Sequence, residues 1–300
     1  MLKYRLLFGT LMTIFFTAVV IFDGWLDGGL STSMADKPVQ GTLLFILIAI
    51  LMVPAQLEVA KLARAKNLRI FAPIATIASI LFAGAWYWPQ VLRLLSVLGT
   101  PNGGQVAEIS LQIYLFFLAV LALLALLLYQ YFRYGISDVI ANCGANYFSI
   151  VYLGLLSSFV LAIRIDFGLW PLLMFVYVVK SADIGAYAIG SPFGRHKFSP
   201  KISPSKSWEG MAGAVATAIM VAIGFAVSCD IMAWWLAVIF GFCFAFIGQL
   251  GDLAESMLKR DAEQKDSATK VPGFGGILDV IDSPLVAAPF SYLFFMFTAR

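Results

Sequence analysis

Charge is what this 300-residue chain has least of. Asp, Glu, Lys and Arg together make up 12% of it, and it has one histidine, His196. An ordinary soluble globular surface cannot be built from so few charges, and the remainder is 61% hydrophobic with a mean hydropathy of +0.90. Cysteine is equally sparse. Cys143, Cys229 and Cys243 lie far apart, without metal-ligand spacing or a disulfide framework, and read as packing residues. There is no soluble domain, no repeat of clear period and no low-complexity tract. The apolar runs lack the two-residue alternation of a β-barrel, which leaves helices as the spanning element.

What is present is a series of apolar runs long enough to cross a bilayer. The expected fold is all-α and polytopic, with about nine transmembrane helices at roughly 6–22, 41–60, 70–89, 109–129, 144–163, 168–190, 211–227, 231–250 and 277–297. The first follows a short basic stretch and resembles a signal peptide. Without a small-residue cleavage site after Phe22 it reads as an uncleaved span. Residues 1–167 are expected to form a scaffold of helices. Residues 168–300 are expected to form the catalytic half, with polar loops at 191–210 and 251–276. With the N-terminus in the cytosol, about 15 Lys and Arg fall on the cytosolic side and about 4 outside, a strong positive-inside bias. Both informative loops then face the cytosol.

The chemistry concentrates in the stretch from Gly248 to Ser283. Asp279 and Asp282 are three apart and share a helix face; Asp252 ends the preceding span, where a helical hairpin could bring it opposite. Three carboxylates from two helix ends suit one or two magnesium ions. Asp252, Ser256 and Arg260 recur every four residues on one helix face, with Lys259 beside them and Lys265 and Asp266 shortly after. The loop at 191–210 adds Arg195, His196, Lys197, Lys201 and Lys206. Its Ser205, Lys206 and Ser207 lead into a helix start, a pattern that suits anions. His196 reads as an interface residue or phosphate contact rather than a base. Lys180, three residues before Asp183, reads as a structural pair or as a functional cation.

Together these stretches resemble the phosphatidate cytidylyltransferase (CDP-diacylglycerol synthase) family. The resemblance rests on Ser256, Lys259, Arg260, Lys265, Asp266, Pro272, Gly273, Gly275, Gly276, Asp279 and Asp282 in order and spacing. Upstream it rests on Asp183, on Phe193 to Lys197 and on Ile202 to Gly210. It covers the C-terminal half. Two positions depart from the family pattern: Phe274 stands where the family has His, and Val280 where it has Arg. Lys180 and Lys270 are the candidates to stand in for that missing Arg.

The resemblance implies cytidylyl transfer from CTP to phosphatidate, giving CDP-diacylglycerol and pyrophosphate in phospholipid biosynthesis. Asp252, Asp279, Asp282, Lys259 and Arg260 would be catalytic, and the three acids would hold Mg2+, with K+ as a candidate second cation. Ser205, Lys206, Ser207, Ser256, Lys265, Asp266, Lys201 and Arg195 would bind substrate. It also implies a homodimer in the cell (inner) membrane with its site facing the cytosol, and no nucleic-acid partner. Phe274 and Val280 keep open a related CTP-dependent lipid enzyme, such as a polyprenol or phytol kinase or a CDP-archaeol synthase-like protein. An ion-coupled transporter fits less well, because the ionisable groups cluster at one face and no inverted repeat is visible. An inactive scaffold is the remaining alternative.

Overall fold

The computed structural model describes residues 2–28, 38–99, 110–264 and 275–298. Among these residues the regular elements are all helical. The chain divides into two compact units, Met1–Ile165 and Asp166–Arg300.

Unit 1 contains α1 (Leu2–Leu26), α2 (Thr42–Ala65), α3 (Ala72–Ala83), α4 (Tyr87–Gly99), α5 (Leu111–Tyr134) and α6 (Val139–Ser149). A π-helical turn (Ile150–Leu155) then leads into α7 (Leu156–Phe167), within which the division between units falls. Unit 2 contains α8 (Leu169–Phe193), α9 (Trp208–Ser228), α10 (Trp234–Asp261) and α11 (Leu278–Thr298).

Eight helices among the described residues are long and apolar enough to cross a membrane, with α6, the π turn and α7 counted as one. The segment expected as the third span behaves differently. It forms the 12-residue α3, a turn at 84–86, and then α4. Twelve residues rise about 18 Å, well short of a hydrocarbon core of about 30 Å. Pro89 accounts for the break, since in a continuous helix it would delete a backbone bond and clash with the preceding turn. In the observed structure it sits in the first turn of α4, where its missing N–H has no partner to lose.

Unit 1 pairs buried side chains with backbone groups at several helix ends, where backbone at membrane depth needs partners. Asp23 Oδ1 accepts the Leu43 amide at 2.8 Å, and Asp27 Oδ2 accepts the Gly41 amide at 2.7 Å, so α1 supplies the cap for α2. Arg164, 2% exposed, reaches Asp23 at 2.9 Å and Asp27 at 3.2 Å. The connection between α2 and α3 is tied by asparagines on α6. Asn142 Oδ1 accepts the Arg69 amide and Asn146 Oδ1 the Phe71 amide, while the Asn146 side chain donates to the Arg69 carbonyl. Phe71, Phe82, Leu126 and Ile150 pack beside them.

Unit 2 is a four-helix assembly whose helices approach closely through small residues. On Gly185 of α8, a Cβ would lie 2.5 Å from the Gly213 carbonyl oxygen of α9 and 2.2 Å from Thr217 Oγ1. Farther along, Phe240 and Phe244 of α10 stack at 4.1 Å, and Phe240 packs on Phe294 and Phe295 of α11. Phe175 of α8 meets Phe244 edge-on. This aromatic core fixes the register of α10 against α11, which sets the positions of the carboxylates beyond it.

Candidate active site

The site grows from one stripe of α10. Gln249, Asp252, Glu255, Ser256 and Lys259 recur at three- and four-residue intervals and share a face. Gly251 lets α11 come against that face: a Cβ there would lie 2.9 Å from Ser283 Cα and 3.0 Å from the Asp282 carbonyl oxygen. The close approach sets Asp282 beside Asp252.

Asp252 is the junction of a polar chain. Its Oδ2 takes Lys206 Nζ at 2.6 Å, and its Oδ1 accepts from Ser256 Oγ at 3.4 Å. Lys206, 9% exposed, also donates to Gln249 Oε1 at 2.9 Å and to the Gln249 carbonyl at 3.2 Å. Gln249 in turn donates to Asp183 Oδ1 at 3.1 Å, and Asp183 pairs with Lys180 at 3.5 Å. Asp282 is 4% exposed and lies within electrostatic reach of Lys180, Asp252 and Asp183. Its Oδ1 accepts the Ser283 amide at 2.6 Å and the Ser283 hydroxyl at 3.2 Å.

Glu255 completes the cluster. One carboxylate oxygen each from Asp252, Glu255 and Asp282 lie within 4.8 Å of one another. Glu255 is fully buried, its Oε2 faces Lys259, and its Oε1 has no hydrogen-bond partner. Asp279, expected to be the third acid, joins the cluster through Lys259, which also contacts Glu255. Its Oδ1 accepts from Lys259 Nζ at 2.5 Å and its Oδ2 from the Gly276 amide at 2.6 Å, so it closes the first turn of α11.

The remaining expected residues divide into three groups. Lys206, Ser256 and Lys259 lie in the buried cluster. Ser207 is buried, and its hydroxyl caps α9 by accepting the Gly210 amide at 3.2 Å. Arg195, Lys201, Ser205 and Arg260 are exposed. Arg260 donates through Nε to the Ile202 carbonyl at 3.2 Å, tying the end of α10 to the loop before α9. His196 rests on Glu209 at 2.6 Å, and Glu209 also accepts the Arg195 and His196 amides. Lys265 and Asp266 lie outside the described residues, as do Lys270 and Phe274. Gln249 and Glu255 were not assigned to the site from sequence. Their signal was spacing, since each lies three residues from Asp252 on the same helix.

Chemically, the cluster offers hard carboxylate oxygens from two helices, one of them buried and unsatisfied, which fits a magnesium-type ion. Beside them lie ammonium groups and a basic loop able to meet phosphates. The class this defines is a polytopic helical protein with acids and lysines gathered at one end of a helical unit. The sequence comparisons narrow that class. The model of the cytidylyltransferase family matches residues 3–298, and the chain belongs to that family. It is 43% identical over 135 residues to a phosphatidate cytidylyltransferase of Haemophilus influenzae, covering 43% of this chain and 47% of the relative. It is 39% identical over 145 residues to one of Bacillus subtilis, covering 47% of this chain and 54% of the relative. For one of Mycobacterium bovis the figures are 40% over 119 residues, 40% of this chain and 39% of the relative. The chain thus matches about half the length, or less, of these curated relatives.

Proposed function

We propose that this protein transfers a cytidylyl group from CTP to phosphatidate, forming CDP-diacylglycerol and releasing pyrophosphate. The observation that carries the reading is the meeting of Asp252, Glu255 and Asp282 with Lys206 and Lys259 in one buried cluster. Family membership and the names of the matched relatives point the same way.

In the reaction, a phosphate oxygen of phosphatidate forms a bond to the α-phosphorus of CTP as the bond to the β-phosphate bridging oxygen breaks. Nucleophile and leaving group are both anionic, so the site must suppress their repulsion. Mg2+ held by the carboxylates would supply that screening, and Asp252, Glu255 and Asp282 are the residues placed to hold it. Lys206 and Lys259 contribute fixed positive charge that burial keeps from being screened by water. Arg260 positions the loop before α9, where exposed Arg195 and Lys201 can meet the polyphosphate tail. The phosphomonoester is already anionic, so no general base is required, consistent with the only histidine resting on Glu209.

We place the site at the cytosolic face of the cell membrane. Within unit 2, the α8–α9 and α10–α11 ends carry Arg195, Lys197, Lys201, Lys206, Lys259, Arg260, Lys265 and Lys270. The α9–α10 connection at 229–233 carries no Lys or Arg. That asymmetry supports a cytosolic charged end, where CTP is. The test is purified protein in detergent with Mg2+, phosphatidate and CTP radiolabelled at the α-phosphate. Chloroform-soluble label with equimolar pyrophosphate is the expected result. No transfer to phosphatidate, with transfer to another lipid acceptor, would overturn the proposal.

A further inference from the structure

Three lysines enter the polar cluster of unit 2, and they differ in how far their donors are already taken. An ammonium has three N–H donors. Lys206 Nζ meets three acceptors: Asp252 Oδ2, Gln249 Oε1 and the Gln249 carbonyl. Lys259 is held between Glu255 on α10 and Asp279 on α11. Lys180 meets Asp183 at 3.5 Å, a long contact, and no other acceptor among the described residues. Its side chain is 34% exposed, against 8% for Lys206 and 11% for Lys259. We infer that Lys180 is a substrate-binding residue whose ammonium takes the phosphate of the lipid substrate.

Position supports the assignment. Lys180 lies within the span, about 20 Å of helix from Phe193, where α8 ends. A lysine at that depth is costly unless it meets an anion. Asp183 meets it in part, at i,i+3, but Asp183 also accepts from Gln249. Lys180 lies within electrostatic reach of Asp282, so an anion bound to it would sit beside the acids proposed to hold Mg2+. Val280, between Asp279 and Asp282 on α11, is uncharged, and α8 supplies positive charge within reach of those acids. The exposed Arg195 and Lys201 follow α8 on the loop before α9, where a nucleotide arriving from water meets them. A lipid phosphate arrives from the bilayer instead. The ammonium set along the span suits the lipid phosphate, and the loop cations suit the polyphosphate.

The inference rests on the cytidylyltransferase reading of this site, and binding is therefore measured apart from turnover. The purified full chain in detergent with Mg2+ is titrated with phosphatidate alone, with CTP alone, and with diacylglycerol, which lacks the phosphate. The shift in Tm reports binding, and KM for each substrate is measured separately. Lys180→Met is expected to weaken phosphatidate binding and raise its KM about tenfold or more, with CTP binding and KM within about twofold of wild type. Lys180→Arg keeps the charge and is expected to bind phosphatidate better than Lys180→Met does. Diacylglycerol is expected to act alike on wild type and Lys180→Met. Should Lys180→Met fail to fold, Lys180→Gln, which keeps a donor for Asp183 without the charge, makes the same comparison. Collapse of both with a folded Lys180→Arg would make Lys180 the structural partner of Asp183 and overturn the inference. Unchanged phosphatidate binding, a loss confined to CTP, equal losses for the two substrates, or equal losses in Lys180→Arg and Lys180→Met would each overturn it too. Cytidylyl transfer by Lys180→Met with an unchanged KM for phosphatidate would sink this inference alone. Lys180-dependent binding of another phosphorylated lipid, with no transfer to phosphatidate, would sink the proposed reaction and leave the phosphate contact standing.

Discussion

Each of the two units buries cationic side chains against carboxylates, and the two arrangements differ in what they leave unpaired. In residues 1–165, Arg164 lies between Asp23 and Asp27, and the same carboxylates accept the Leu43 and Gly41 amides at the start of α2. The positive end of that helix offsets the second acid, so each acid meets a guanidinium and a backbone amide. In residues 166–300, five acids face three lysines, and Glu255 Oε1 has no partner. A buried charge network that only holds helices together can set every charge against an opposite one. The proposed site in the second unit leaves a buried carboxylate oxygen over, as a network meant to receive an ion would.

Four substitutions sharpen or break this contrast. The largest effect is expected at the open network. Asp282→Asn should lower kcat about a thousandfold, roughly 4 kcal/mol of transition-state stabilisation, while thermal unfolding stays near wild type. Unchanged turnover would remove Asp282 from the chemistry. At the closed network the effect should appear in stability instead. Arg164→Ala leaves two carboxylates buried without their cation and should cost about 3–5 kcal/mol, read as lost folded yield and a lower Tm, with kcat per folded molecule preserved. A stable variant with lost turnover would show that unit 1 takes part in the chemistry.

Gly251→Ala tests the seam between α10 and α11. The added methyl meets Ser283 and Asp282 backbone, so a cost of about 1–3 kcal/mol is expected together with reduced kcat, since the carboxylates are pushed apart. Full turnover would mean the close approach is not needed. The smallest effect is expected from Arg260→Ala, which unties an exposed loop contact worth about 1 kcal/mol. It should raise KM for CTP severalfold and barely change kcat; a collapse of kcat would move Arg260 into the reacting centre.

Much of the architecture was legible because hydropathy reports burial in lipid directly. Eight of the expected spans correspond to long apolar helices. The third does not, because its length was judged by apolar content while Pro89 divides it into α3 and α4. The Arg164 pairing was not legible, since Asp23 and Asp27 precede Arg164 by well over a hundred residues and no local period joins them. At the site, the helical spacing from Asp252 to Ser256 was readable and correctly put both on one face. The same spacing reaches Glu255, which the fold groups with Asp252 and Asp282. Asp279 meets the Gly276 amide and Lys259 through contacts that only the folded hairpin creates. Ser207 shows a similar ambiguity: a serine at a helix start suits an anion site or a cap, and here its hydroxyl accepts the Gly210 amide.

The most direct measurement follows the two ends of the nucleotide separately. Purified protein with phosphatidate and Mg2+ is supplied with CTP labelled at the α-phosphate in one reaction and at the γ-phosphate in another, for wild type and for Asp282→Asn. The account predicts that wild type moves only the α label into lipid and releases the γ label as pyrophosphate, and that Asp282→Asn does neither. Lipid carrying the γ label would make the protein a kinase and contradict the proposed reaction, and α-label transfer undiminished in Asp282→Asn would contradict the site.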